Sequence, residues 1–267
     1  MRDHLPNQLL RVIPLLVLLS AWEILATTSS RIAFLFGRPT TTFTVLISRT
    51  FDGTLLLDAA ATLIPLLSGF LIGNLTGAAL GLLVWRFPRF GFLAQPYLTG
   101  LGALPAFILA PLLIVWFGTG AAMKTLIVIM STMFIAASHT TSGARDIDRR
   151  FFQLFRSFGA GDAMIFRLLV LPSIASWVFS SLRLNAGAAL LGVFMAEFIS
   201  SGRGLAHRTL MDAGLYNISA VWAGALCVVA IALVLDGCIT ILQRAGRPPL
   251  SRSGGYHAPT YDRTVAR

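Results

Sequence analysis

A chain of 267 residues that is 56% hydrophobic and only 12% charged, with a mean hydropathy of +0.78, carries about half the charged share of an average soluble protein. That excludes an ordinary soluble domain, and the dominance of apolar residues without a short repeat excludes a disordered or collagen-like chain. The net charge of +10 would suggest nucleic acid in a soluble protein, but here the arginines stand between apolar runs. They fit orientation in a bilayer with anionic lipid, and nucleic acid is not an expected partner.

What remains is an all-helical integral membrane protein. A crossing needs about 20 mainly apolar residues, and six stretches qualify. The first, Leu9 to Thr27, reads as a retained crossing and not a cleaved signal, because Trp22 and Glu23 occupy the place of a small-residue cleavage site. The second runs from Leu55 to Trp85, where Gly69, Gly73, Gly77, Ala78 and Gly81 permit close helix contact. The third spans Phe92 to Phe117 and the fourth Ala122 to Ser142. The fifth, Leu168 to Ile199, is long, and Pro172, Gly187 and Gly192 give it places to bend. The sixth, Ile218 to Leu242, holds both cysteines, Cys227 and Cys238, which lie about 16 Å apart along a helix and cannot pair with each other.

Three segments follow: 1–53, a first crossing with an external stretch; 54–243, the main transmembrane domain; and 244–267, a basic tail read as disordered. With the N-terminus inside, fourteen Arg and Lys residues face the cytoplasm and six face outward. Both termini are therefore expected in the cytoplasm.

Between the fourth and fifth crossings lies a patterned loop. Phe151, Leu154, Phe155 and Phe158 recur at i, i+3, i+4 and i+7, and Arg149, Arg150, Gln153, Arg156 and Ser157 take the other side. Asp148 is placed to cap the start and Gly159 to end the helix in a left-handed conformation; Gly161 and Asp162 then restart it. The pattern alone supports two readings. The helix either rests on lipid head groups or docks its apolar face in a groove of a soluble partner.

Reactive constellations are missing. His4, His139, His207 and His257 are scattered, so no metal site is expected, and no catalytic residues are assigned. Residues 118–125, Gly-Thr-Gly-Ala-Ala-Met-Lys-Thr, nearly form a phosphate loop, but Met123 replaces its second glycine and the segment faces outward. Polar groups inside crossings are costly unless they face a bundle interior or water. Of these, His139, Arg183, Asn185 and Glu197 are candidates for a translocation path, each with a local alternative as a bond between helices. Arg183 suits an anionic solute, or it pairs with Glu197 through a bend or a second subunit. Asp236 reads as a snorkelling acid near the inner end.

Several stretches in order resemble a family. Ser157-Phe158-Gly159-Ala160, followed by Phe166, Val170, Leu171 and Pro172, resembles the cytoplasmic loop of bacterial ABC-importer permeases, the inner membrane components of binding-protein-dependent transport systems. Trp116-Phe117-Gly118-Thr119-Gly120 with Lys124 resembles the family's external turn. Ala196-Glu197-Phe198 with Ser200-Ser201-Gly202 and Gly204-Leu205 resembles its fifth crossing and the loop beyond. The nearest subgroup is that for nitrate, sulfonates and taurine.

The resemblance implies a permease subunit and not an enzyme, sited in the bacterial cytoplasmic membrane. It implies a homodimer, an extracytoplasmic substrate-binding protein, and separate ATPase subunits that hold the ATP and magnesium. The ATPase would be met by Arg149, Phe151, Gln153, Leu154, Phe155, Arg156, Phe158 and Gly159. The family's Glu-Ala-Ala is replaced here by Gln153, Leu154 and Phe155, which asks for a roomier or more apolar cleft on the ATPase. The rival is a secondary transporter working without an ATPase, which needs a relay of intramembrane acids and finds only Glu23, Glu197 and Asp236.

Overall fold

The computed structural model describes residues 4–200 and 202–245. In chain order the helices are α1 (His4–Thr28), α2 (Ser30–Phe36), α3 (Pro39–Phe51), α4 (Thr54–Arg86), α5 (Pro88–Ala103), a 3-10 turn (Ala106–Leu109), α6 (Ala110–Phe117), α7 (Ala121–Arg145) and α8 (Arg149–Ser157). There follow α9 (Asp162–Ile165), a π-helical turn (Phe166–Val170), α10 (Leu171–Ile199), α11 (Leu205–Gly214) and α12 (Ile218–Ala245). The described residues contain no strand. The basic tail expected over 244–267 lies, from 246 on, outside the described residues.

Four helical runs are long and apolar enough to cross a membrane: Thr54–Arg86, Ala121–Arg145, Asp162–Ile199 and Ile218–Arg244. They match the second, fourth, fifth and sixth expected crossings. Over the first expected crossing, helix α1 has 25 residues, about 37 Å, and among the described residues its apolar part is the shorter stretch Leu16–Thr28.

The third expected crossing, 92–117, is corrected. It is not one rod: Pro88–Ala103 and Ala106–Phe117 meet at 87°. Proline 105 explains the break. Its ring pushes Leu104 into extended backbone (φ −75°, ψ 127°), and its missing N–H ends the hydrogen-bond ladder. The fifth crossing carries a milder irregularity. Pro172 cannot donate to the carbonyl four residues back, and just before it the Leu171 N–H bonds to Phe166 O, five residues back.

The centre of the fold is the pair α4 and α7. Four glycines one turn apart on α4, Gly69, Gly73, Gly77 and Gly81, face Val128, Thr132, Met133 and Ala137, and a Cβ at any of the four would overlap α7. Only hydrogen fits there, and the backbones come close enough that the Thr141 hydroxyl donates to Gly81 O at 3.1 Å. In lipid, where apolar burial gives helices little reason to associate, such close contact is the main source of attraction. Helices α10 and α12 complete the core with Ala186, Ala189, Val193, Leu235 and Ile239 around Leu66 and Val128. The flanks stay apolar: Ile64, Leu71 and Leu75 of α4 and Leu233, Val234 and Ile241 of α12 are exposed, as lipid-facing side chains should be.

Candidate functional site

The patterned loop folds as a short, separately capped helix. The Asp148 carboxylate accepts the Arg150 N–H at 2.9 Å and caps α8. At the other end Gly159 takes φ +78°. There the Ala160 N–H reaches Phe155 O (3.0 Å) and the Gly159 N–H reaches Arg156 O (2.9 Å), closing the last turn. Phe152 turns toward the bundle, 6.4 Å from the Trp85 ring and against the cluster of Ala144, Val170 and Ile174. Phe151, Leu154 and Phe158 point away and are 53%, 49% and 82% exposed. Phe155, expected on that same stripe, is half-buried. At 100° per residue it lies between Phe151 and Phe152, so it forms the inner edge of the stripe.

Two exposed ion pairs tie this helix to the bundle. Asp162 lies 3.6 Å from Arg156 of α8 and 3.8 Å from Arg86 at the end of α4. Exposed pairs of this length contribute little stability, so Phe152 is the principal anchor. Arg149 and Gln153 are exposed.

At the opposite end of the bundle a buried clamp joins four elements. Lys124, at the start of α7, places Nζ 3.1 Å from Glu197 Oε1, near the end of α10. Thr62 of α4 donates to the same oxygen at 2.8 Å and accepts the Leu205 N–H at 2.9 Å. The second carboxylate oxygen accepts the Ala206 N–H at 2.9 Å, at the N-terminus of α11. The ammonium also donates to Ala61 O at 3.5 Å and to Arg203 O. Glu197 is fully buried and Lys124 almost so. The loop passes over the carboxylate so closely that a Cβ on Gly204, at φ +145°, would overlap it.

Beside the clamp, Arg49 of α3 binds Asp212 of α11 through two bonds of 2.6 and 2.7 Å. That bidentate bond holds the Arg49 guanidinium above its ordinary pKa range. Arg208 of α11 reaches Asp58 of α4 at 3.0 Å.

The four path candidates lie in different places. Glu197 is in the clamp. Arg183 pairs with Asp236 of α12 at 2.8 Å and donates to Thr240 at 2.8 Å, so Glu197 is not its partner. Asn185 is buried and donates to Asn74 Oδ1 across α4 and α10 at 2.5 Å. His139, 6.5 Å from the Trp177 ring, lines a cleft of about 300 Å³ between α5 and α7. The sequence reading missed Lys124 as the partner of Glu197. The available signal was a solitary lysine and a solitary acid, each near one end of an apolar run.

Comparison with known proteins agrees with this architecture. The family model described as "Binding-protein-dependent transport system inner membrane component" matches residues 69–247. A probable ABC transporter permease protein of Haemophilus influenzae is 27% identical over 82% of this chain and 89% of its own length. The taurine transport system permease protein TauC of Escherichia coli is 24% identical over 74% of this chain and 72% of its own. The fold resembles a chain of the MetNI methionine ABC transporter in an inward-facing form, with a TM-score of 0.65 and 15% identity over 74% of this chain and 99% of that one. The chain therefore belongs to the family of inner membrane components of binding-protein-dependent transport systems, the permease subunits of ABC importers.

Proposed function

We propose that this permease forms a homodimer in the cytoplasmic membrane with both termini inside. ATPase subunits that hold the ATP and magnesium would engage α8 from below, and an external binding protein would deliver the solute. The observation that carries the reading is the division of α8 into two faces. Phe152 fixes the helix to the bundle while Phe151, Leu154 and Phe158 stand out as an apolar stripe, the arrangement of a helix made to lie in a partner's groove.

Leu154 and Phe155 replace the small residues of the family's loop, so the matching ATPase cleft should be wide and apolar. On this reading ATP binding draws the ATPases together, the stripe follows them, and the Phe152 anchor passes the movement to α7 and α10. Taurine carries a sulfonate, and the relationship to TauC supports a small solute bearing an anionic group. The domain division at residue 53 belongs to the same proposal, with α1 to α3 as an addition to the transporting bundle.

The test is co-purification of the permease with the ATPase encoded beside it. Phe158→Asp, which puts a charge on the most exposed member of the stripe, should reduce recovery of the complex at least tenfold while the permease itself remains monodisperse. Full recovery with Phe158→Asp combined with Leu154→Asp would place the stripe on lipid and reject the docking role.

A further inference from the structure

Helices α5 and α7 run antiparallel with a gap between them. Gly102 approaches Phe134 at one end, where a Cβ on the glycine would stand 3.3 Å from the Phe134 Cβ. Toward the other end Gln95, Thr99 and Arg145 wall two adjoining cavities of about 300 and 890 Å³. Polar residues repeat along both sides: Gln95 and Thr99 at i and i+4 on α5, then Ser138, Ser142 and Arg145 at i, i+4 and i+7 on α7, with His139 beside them. All of these but His139 are exposed, so the cleft is open, and Arg145 stands at the last residue of α7; polar side chains gathered on such an opening in a membrane protein face water or a solute.

These groups are not used by the fold. Among the described residues Gln95, Ser138, His139, Ser142 and Arg145 make no side-chain hydrogen bond or ion pair, and Thr99 donates only to Gln95 O, at 3.0 Å on its own helix. By contrast Arg183 is neutralised by Asp236 and Lys124 by Glu197. No acidic side chain lines either cavity. The cleft thus holds an uncompensated cation, with hydroxyl and amide donors leading up to it, in a volume suited to a small molecule.

We infer that the cleft is a binding site for a small organic anion such as a sulfonate. Arg145 supplies the charge, and Gln95, Thr99, Ser138, His139 and Ser142 supply hydrogen bonds along the way. The inference rests on the transport reading and deepens it by locating the solute's inner station between α5 and α7. A guanidinium with no carboxylate beside it presents paired N–H groups that match two oxygens of a sulfonate. An anionic lipid head group offers similar oxygens, so the test must separate the two.

The test uses the full chain in membrane vesicles, with Cys227→Ser, Cys238→Ser and Ser142→Cys. The new thiol is reacted with 2-sulfonatoethyl methanethiosulfonate and with its trimethylammonium counterpart, each rate being referred to the same reagent at an exposed control cysteine. The anionic reagent should react about tenfold faster than the cationic one, as one unscreened charge nearby predicts. Arg145→Gln should abolish the preference and Arg145→Lys should retain it, which separates charge from folding.

Millimolar methanesulfonate should slow the reaction in phosphatidylcholine vesicles. Protection by phosphatidylglycerol and not by methanesulfonate would assign the cleft to lipid, and an anionic preference that survives Arg145→Gln would remove Arg145 from the site; either result overturns the inference. Labelling requires no ATPase. ATP-driven uptake together with a charge-blind cleft would therefore sink this inference and leave the permease reading standing.

Discussion

The buried clamp invites a quantitative test. Replacing Lys124 by Met leaves the Glu197 carboxylate with Thr62 and the Ala206 N–H but without its counter-charge, inside a site with no exposed surface. Replacing Glu197 by Gln leaves a buried ammonium with neutral acceptors alone, the carbonyls of Ala61 and Arg203 and the new amide oxygen. Breaking one side of a buried pair costs about 3–5 kcal/mol, because the surviving charge is stranded. For a chain of this size each kcal/mol moves the unfolding midpoint by about 2–4 °C, so each single variant should melt roughly 10 °C lower in detergent.

The double variant carries neither charge. It should be no less stable than either single one, which gives a coupling of at least about 3 kcal/mol in a double-mutant cycle. The assay is thermal unfolding of the four proteins, followed by the fraction remaining monodisperse. Strictly additive losses would show that the two residues act independently and would refute the clamp as an energetic unit.

Gly159→Leu places a side chain at φ +78°, a conformation that costs a residue with a Cβ about 1–2 kcal/mol; the end of α8 should shift, and ATP hydrolysis should continue while uptake falls several-fold. Phe152→Ala removes a half-buried ring from the anchor, so a loss of about 1–2 kcal/mol is expected, below the full core value. Proteolysis should quicken within 146–162 and not elsewhere. Arg183→Leu strands Asp236 and should be rescued in part by a second change, Asp236→Leu; failure of that rescue in yield or melting point would mean that the pair does more than neutralise itself.

Much of this architecture can be read from the residues. The cap Asp148, the stripe and the terminal Gly159 define α8 almost to the residue, because these signals are local. The inward role of Phe152 was hidden. In a nine-residue helix with four apolar positions, and Phe158 just past its end, the stripe is wide, and which edge meets the bundle depends on the angle of the loop. The bend at Pro105 was missed because hydropathy counts apolar residues and is blind to direction; Leu104-Pro105 and Pro111 were the signals available.

The clamp was hidden for another reason. Lys124 and Glu197 are 73 positions apart, and helical periodicity within one segment says nothing about the rotation of another. Arg183 showed the same limit, since its choice of Asp236 over Glu197 is fixed by how α12 rotates against α10. Those pairings belong to the register between helices, which is set by packing.

The glycine ladder of α4 has a mechanical consequence. Two rods packed this closely over four successive turns, with Val128, Thr132, Ala136 and Thr140 of one set directly on the glycine backbone of the other, have no room to slide or roll past each other in small steps. During a transport cycle α4 and α7 must swing as one oar. The joints then fall to the places where the ladder of backbone bonds is already interrupted: the elbow at Pro105 on one side and the widened turn ahead of Pro172 on the other. Filling a single rung, with alanine at Gly77 for example, would not merely loosen the oar but prise its two halves apart.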